Sequence, residues 1–286
     1  MKKYLILGIL SLFILSFLFI YQSSRFQDGR LHMVACNVGQ GDAIFIRTEG
    51  GLDVLIDGGP DDKVLNCLAN HMPFWDKTLE VVILTHPDAD HLRGLVSVVE
   101  RYKINYFVTV DIPKTTAVYK FFQSKLKEKD ISAKYLFAGD KINFGKSSMT
   151  LFWPQKQFFL ENSKYAGKGS LGSNDFAIVG KLNYGKFSAL LTADAGANIL
   201  DKFAWNIGKT GALKVPHHGS KTGMSDLFLT SIKPEIAIIS VGERNNYGHP
   251  AALSLELLKK YNINILRTDL NGEVEVVSDG VKFWLH

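Results

Sequence analysis

The sequence predicts an α/β (α+β) fold: a four-layer αββα sandwich preceded by one N-terminal transmembrane helix. Three observations lead there. Tyr4 to Tyr21 form a run of 18 uncharged residues, almost all Leu, Ile and Phe. The rest of the chain alternates short apolar strands with helix-period segments, twice over. Several of those strands end in carboxylates or imidazoles beside glycine turns. The expected organisation is a membrane anchor or signal segment over residues 1–24 and one domain over residues 31–286.

Taken in order, the apolar run comes first and is about long enough to cross a bilayer's hydrocarbon core. No small-residue cleavage site or Cys follows it, which favours an uncleaved anchor over a cleaved secretory signal. Lys2 and Lys3 precede the span, and the positive-inside rule puts them in the cytoplasm, a bias weakened by Arg25 and Arg30 beyond it. The expected location is the cell membrane, single-pass through residues 4–21, with the remaining chain outside the cytoplasm (or secreted, if the segment is removed).

Leu31–Val38, Ala43–Arg47 and Val54–Ile56 read as strands, punctuated by Gly39, Gly41 and Gly50-Gly51. A helix is expected over Asp61–Asn70, then a buried strand Val81–Leu84, a helix from Leu92 and a strand Tyr106–Val110. Thr115–Lys129 predicts an amphipathic helix with Val118, Phe121, Phe122 and Leu126 inward. Phe158 to Ser173, rich in Lys, Gly and Ser, reads as a long surface loop. The second half repeats the theme with strands Ser148–Trp153, Phe176–Leu182, Phe187–Leu191, Leu213–Val215 and Ile236–Ser240. The helix Ala251–Tyr261 follows, then strands Ile263–Arg267, Glu273–Val277 and Val281–Leu285. Cys36 and Cys67 have no metal-ligand spacing and read as small buried hydrophobes rather than a disulfide.

The chemistry concentrates in Thr85-His86-Pro87-Asp88-Ala89-Asp90-His91, an H-x-D-x-D-H run on a strand-to-helix loop. Four charged or imidazole side chains within six residues repel one another unless a cation neutralises them; the plainer reading is a solvated acidic turn. Two other strands end alike: Leu191-Thr192-Ala193-Asp194 in a carboxylate, and Val215-Pro216-His217-His218-Gly219 in paired imidazoles. His249 lies in a Tyr-Gly-His-Pro loop. His32, His71 and His286 are not in such loops and read as structural or surface residues.

Together with Asn37-Val38-Gly39-Gln40-Gly41-Asp42, Leu55-Ile56-Asp57-Gly58-Gly59 and Asn246-Tyr247-Gly248-His249-Pro250, these blocks resemble, in order, the metallo-β-lactamase-fold hydrolase domain of competence DNA-uptake (ComEC-type) proteins. The resemblance runs from about Leu31 to the C-terminus. It implies the αββα fold, a metal site at one edge of the sandwich, and nuclease activity. It makes His86 and Asp88 ligands of a first metal, Asp90 and His91 of a second, Asp194 the bridging carboxylate, and His217 or His218 the late histidine ligand. Asp57 becomes an orienting acid. Asp42 takes a similar part or caps its turn. The chain departs from the family pattern at Asn37, where Asp is common, at Ala193, where Gly is usual, and at Ala177, where a Ser is usual.

Two or three imidazoles with three carboxylates suit two divalent ions, zinc or manganese foremost, with iron also accommodated. Two such cations activate water and clamp the oxygens of an in-line displacement, which fits a phosphodiester. Asp90 would hold one metal and orient the attacking hydroxide, and His249 would protonate the leaving oxygen. From Lys141 to Lys221 there are eleven lysines against Glu161, Asp175, Asp194 and Asp201, a charge pattern compatible with single- or double-stranded DNA or with solvated strand faces. Lys164, Tyr165, Lys168 and Asn174 are the substrate-contact candidates. With one span, the chain is not itself a transporter, and a separate DNA-uptake channel protein is the expected partner. The alternatives are hydrolysis of another ester (a lactone, a β-lactam or a cell-wall phosphodiester) and a non-catalytic role beside such a channel.

Overall fold

The computed structural model describes residues 2–167 and 171–286. Helix α1 (Lys2–Phe26) buries none of its residues and is long and apolar enough to be a candidate membrane span. The chain then forms strands β1 (Leu31–Ala35), β2 (Ile44–Arg47), β3 (Asp53–Ile56), β4 (Thr78–Ile83), β5 (Lys103–Thr109) and β6 (Ala133–Tyr135). Among them stand helices α2 (Val64–His71), α3 (Ala89–Arg101) and α4 (Ala117–Glu128). Next come β7 (Lys141–Phe144), β8 (Ser147–Trp153), β9 (Val179–Tyr184), β10 (Phe187–Leu191), β11 (Ala212–Lys214), β12 (Ile236–Ile239) and β13 (Asn264–Arg267). Their helices are α5 (Lys156–Asn162), α6 (Ala197–Leu200), α7 (Ala204–Ile207), α8 (Asp226–Ile232) and α9 (Ala252–Lys260). A short α10 (Thr268–Asn271) leads to β14 (Val274–Ser278) and β15 (Phe283–Leu285).

Two sheets result. One runs β15-β14-β1-β2-β3-β4-β5-β6, the other β13-β12-β11-β10-β9-β8-β7. Three apolar cores show the four layers directly. Met33, Ile46, Val54 and Ile56 meet Leu182, Ala189 and Ile238 between the sheets. Phe45, Leu55 and Val82 point the other way, under Leu68, Leu95 and Phe122 of α2, α3 and α4. Leu190, Leu213 and Ile239 pack beneath Ala204, Phe228 and Leu258 of α7, α8 and α9. The alternation along β3, with Val54 and Ile56 inward and Leu55 outward, is the two-residue period of a strand covered on both faces.

The structure corrects several expectations. The last two strands do not stay with the second half: β14 pairs antiparallel with β1, Leu31 opposite Ser278, so the first sheet is built from both ends of the chain. In α4 the inward stripe is Tyr119, Phe122 and Leu126, and Phe121 is 51% exposed with the Lys125 ammonium 5.5 Å from its ring centre. Residues three and four apart share a helix face, and choosing Phe121 placed that face one position off. Part of the expected long loop is helical, in α5 and in single turns at Ser163–Tyr165 and Ser173–Phe176, because Phe158 and Phe159 pack on Phe176. Cys36 and Cys67 are buried as expected, but they are joined as a disulfide. Packing of α2 over the first sheet brings their Cα atoms to 5.8 Å across 31 positions of sequence, a proximity that spacing alone does not reveal.

Candidate metal centre

Strands β3 and β4 run parallel, as do β10, β11 and β12, so their C-terminal ends deliver a set of loops to one edge of the sandwich. Asp57 follows β3, Thr85 and His86 follow β4, Asp194 follows β10, and His217 and His218 follow β11. Helix α3 starts at Ala89, which puts Asp90 and His91 in its first turn. Two glycines allow the tight approach. A Cβ on Gly94 would lie 1.9 Å from the Gly58 carbonyl oxygen, and one on Gly41 would lie 2.2 Å from that of Asp90. Asp57, Ala193, His217 and His218 all adopt left-handed backbone (φ 60°, 48°, 49° and 54°), so the surrounding packing holds four non-glycine residues of this edge against a local cost. Ala193 stands where the family usually has glycine, and its positive φ explains that preference.

The side chains converge on Asp194. Its Oδ2 lies 3.4 Å from His91 Nε2, 3.7 Å from His217 Nε2 and 4.0 Å from His86 Nε2, and its Oδ1 lies 3.5 Å from His218 Nε2. Asp90 Oδ2 is 3.5 Å from His218 Nε2 and 4.0 Å from His91 Nε2; Asp88 Oδ2 is 3.8 Å from His86 Nε2. Asp90, His91, Asp194 and His218 offer ligand atoms all within 4.8 Å of one another. The structure therefore brings both His217 and His218 to the carboxylate. His249 joins them, its ring centre 5.7 Å from that of His217.

Each buried imidazole is oriented from behind. Asp57 Oδ2 is 2.8 Å from His91 Nδ1, and Asp57 also accepts from the Thr85 amide and hydroxyl. The Thr85 hydroxyl, its proton committed to Asp57, accepts from His86 Nδ1 at 3.0 Å, and the Ser240 carbonyl accepts from His218 Nδ1 at 2.9 Å. Three Nδ1–H groups are thereby fixed, which aims three Nε2 atoms into the site. There, Nε2 of His86, His91 and His218 and Oδ1 of Asp194 are buried and, among the described residues, have no hydrogen-bond partner. Buried polar atoms seldom go unpaired, and convergent imidazole nitrogens and carboxylate oxygens are the donor set of a divalent cation. The residues fit a metal.

The charges agree. Burial would raise the Asp194 carboxyl, but the imidazoles of His218, His91 and His86 hold it well below the usual range. Burial would lower His91, yet Asp194 and Asp57 carry it well above the ordinary histidine value; His218 is raised in the same way by Asp194 and Asp42. His86 is lowered by burial and by the neighbouring His91, and His249 by burial and by His217 and His218. The site calls for positive charge at its centre.

Asp42 is no turn cap. It is buried, its Oδ1 lies 3.5 Å from His218 Nδ1, and its other oxygen meets the Lys214 ammonium, which also donates to the Ala193 carbonyl at 3.2 Å. Sequence reasoning missed Lys214, although a lone Lys ending the apolar strand Ala212–Lys214 was the available signal. It also missed Lys114 and Ser173, which both donate to Asp88 Oδ1 and leave Oδ2 facing His86. Ser173, rather than its neighbour Asn174, touches the centre. Lys164 and Tyr165 lie beside a cleft that Lys164 shares with Lys114, the Lys164 ammonium 5.0 Å from the Tyr165 ring centre. Lys168 lies outside the described residues.

Comparison with known proteins agrees with this fold. The chain is 30% identical over 285 residues to ComE operon protein 3 of Bacillus subtilis, covering 90% of this chain and 34% of that protein. It is 28% identical over 244 residues to Recombination protein 2 of Haemophilus influenzae, covering 84% and 28%. It thus spans about a third of the relatives it matches. Among solved structures, the metallo-beta-lactamase fold protein YhfI from Bacillus subtilis superposes with a TM-score of 0.56 at 12% identity, over 90% of this chain and all of that one. The diiron beta-hydroxylase CmlA from Streptomyces venezuelae gives 0.52 at 14%, over 87% and 54%. The profile of the metallo-beta-lactamase superfamily matches residues 36–243, and the chain belongs to that superfamily.

Proposed function

We propose that this chain is a membrane-anchored metallo-hydrolase that cleaves DNA phosphodiester bonds outside the cytoplasm. The observation that carries the reading is the ring of unpartnered Nε2 atoms around Asp194. His86, Asp88 and His217 would hold one divalent ion against Asp194, and Asp90, His91 and His218 a second. Two such ions, zinc or manganese, supply acidity to a bound water and neutralise charge on phosphoryl oxygens. The chain's own residues do the rest. Asp57, Thr85 and the Ser240 carbonyl keep the imidazoles aimed, and Lys114 and Ser173 hold Asp88. Asp90 orients the attacking water, and His249 delivers a proton to the leaving oxygen. Lys164, Tyr165 and Lys168, with Asn174, meet the backbone and bases of the strand.

The relatives favour DNA, since one of them is named for recombination. A buried disulfide favours an oxidising compartment, and therefore the orientation with α1 as anchor and the sandwich outside. A separate DNA-uptake channel is the partner this arrangement suits. The test is metal analysis of the full-length protein, with hydrolysis of single-stranded DNA and of bis-p-nitrophenyl phosphate. The expected outcome is bound divalent metal, cleavage that falls steeply with salt on DNA, and loss of both metal and cleavage in Asp90→Ala. Full metal content and full hydrolysis in Asp90→Ala would overturn the mechanism, and cleavage of neither substrate by the wild type would overturn the activity.

A further inference from the structure

The turn between α2 and β4, Met72-Pro73-Phe74-Trp75-Asp76, carries two large aromatic side chains at its tip. Phe74 is 65% exposed and Trp75 39%, while Met72 and Pro73 at the base of the turn are buried. The turn is fixed rather than loose: the Asp76 amide donates to the Pro73 carbonyl at 2.9 Å, and the Asp76 carboxylate accepts from the Thr78 amide at 3.1 Å. Trp75 stacks on Phe19 of α1, ring centres 4.9 Å apart, and Phe74 meets Trp75 edge-on at 4.9 Å. With Leu15 and Leu18 of α1 they line one apolar cleft.

Phe19 sits near the outer end of the apolar run, which gives way after Tyr21 to Gln22, Ser23, Ser24 and Arg25. That level is the bilayer's interface, where Trp and Tyr concentrate because one end of each ring system is apolar and the other polar. The end of α1 is also tied to the sandwich. Arg47 Nε donates to the Phe26 carbonyl at 2.8 Å, and the same guanidinium is locked to the buried Asp53 at 2.6 Å. Anchor and aromatic turn are thus presented to the membrane together.

We propose that Phe74 and Trp75 form a second membrane contact, an interfacial ledge that inserts beside α1 and fixes the tilt of the catalytic sandwich on the bilayer. The proposal rests on α1 being a membrane anchor. It has a consequence for the substrate. Strand β4 starts just after the ledge and delivers Thr85 and His86 beyond its far end, so its six residues, at about 3.3 Å each, hold the metal centre roughly 20 Å further out. Arg47 and Asp53 lie at the anchor edge, and Asp57, past the other end of β3, lies in the metal centre. The centre opens away from the lipid, toward a polymer arriving through water and not toward a phospholipid headgroup.

The test uses the full chain reconstituted in phosphatidylcholine–phosphatidylglycerol vesicles, with and without lipids brominated near the headgroup, and reads tryptophan emission. The chain has four tryptophans, and Trp153 is buried in the core. Bromolipid is expected to quench the wild type, Trp75→Phe to lose at least half of that quenching, and Trp205→Phe to lose none. Equal quenching of the wild type and Trp75→Phe overturns the ledge. Flotation separates this from the anchor: protein that floats with the vesicles but shows no quenching of Trp75 overturns the ledge alone, and protein that does not float overturns anchor and ledge together.

Discussion

His32, His71 and His286 gather round Glu275 at the edge of the sandwich beside the end of α1, and His86, His91 and His218 gather round Asp194 at the opposite edge. The ingredients are alike and the states are not. At the α1 edge, His32 meets Glu275 at 2.7 Å and Asp28 at 3.1 Å, and His71 meets Glu273 at 3.0 Å. A proton completes the pair of His32 with Glu275. At the far edge one nitrogen of each ring is satisfied from behind, while the other approaches Asp194 at 3.4–4.0 Å without a hydrogen bond. Convergence of ring nitrogens that make no hydrogen bond separates a candidate cation site from an ion-pair cluster, and a count of histidines does not.

The comparison is broken or kept most decisively by Asp194. Asp194→Asn should remove the carboxylate on which the imidazoles converge and lower hydrolysis of bis-p-nitrophenyl phosphate by on the order of 10³-fold or more, as expected when several kcal/mol of charge stabilisation is lost. Glu275→Gln, the matching change at the α1 edge, should leave the rate within about twofold. Steady-state rates and metal content of the two variants check this; equal losses would mean that both clusters are merely structural. Next in size is Asp57→Asn. It keeps the shape but weakens the hold on His91 Nδ1, and such outer partners are commonly worth about 10–100-fold in metal affinity or activity. Competition with a chelating dye measures it, and an unchanged affinity would show that His91 needs no orienting partner.

The far edge was the more legible of the two because its chemistry is local. Four candidate ligands in six residues sit on a strand-to-helix loop, and other strands announce themselves by ending in Asp194 or in His217-His218. Asp57 was legible as an acid at a strand end. What stayed hidden depends on tertiary approach. Lys114 and Ser173 reach Asp88 from positions 26 and 85 residues away, and Cys36 finds Cys67 only once α2 lies over the first sheet. The cluster at the α1 edge was invisible for a related reason: β14 returns from the C-terminus to β1, which sets Glu275 opposite Val34 and brings its carboxylate to His32. Sequence periodicity says that β14 is a strand but not which sheet it joins.

The smallest effect sharpens the claim that a proton completes the pair of His32 with Glu275. Burial alone would push His32 down, but its hydrogen bonds to Glu275 and Asp28 outweigh this and hold it above the ordinary histidine value. Burial would likewise raise Glu275, and the bond to His32 with the charge of His71 holds it low. The folded protein therefore binds the His32 proton more tightly than the unfolded chain does, and stability falls as pH rises past about 6.5 and through the raised value. On the acid side the same pair is lost as pH falls below the usual carboxylate range near about 4.3 and Glu275 takes up a proton. Between these limits the pair should contribute about 1 kcal/mol. Urea unfolding of the wild type and His32→Gln should accordingly differ most near pH 6 and converge by about pH 9. A difference that stays flat from pH 6 to 9 would mean that His32 is neutral in the folded protein, and the contrast between a proton-completed pair and a candidate cation site would fail.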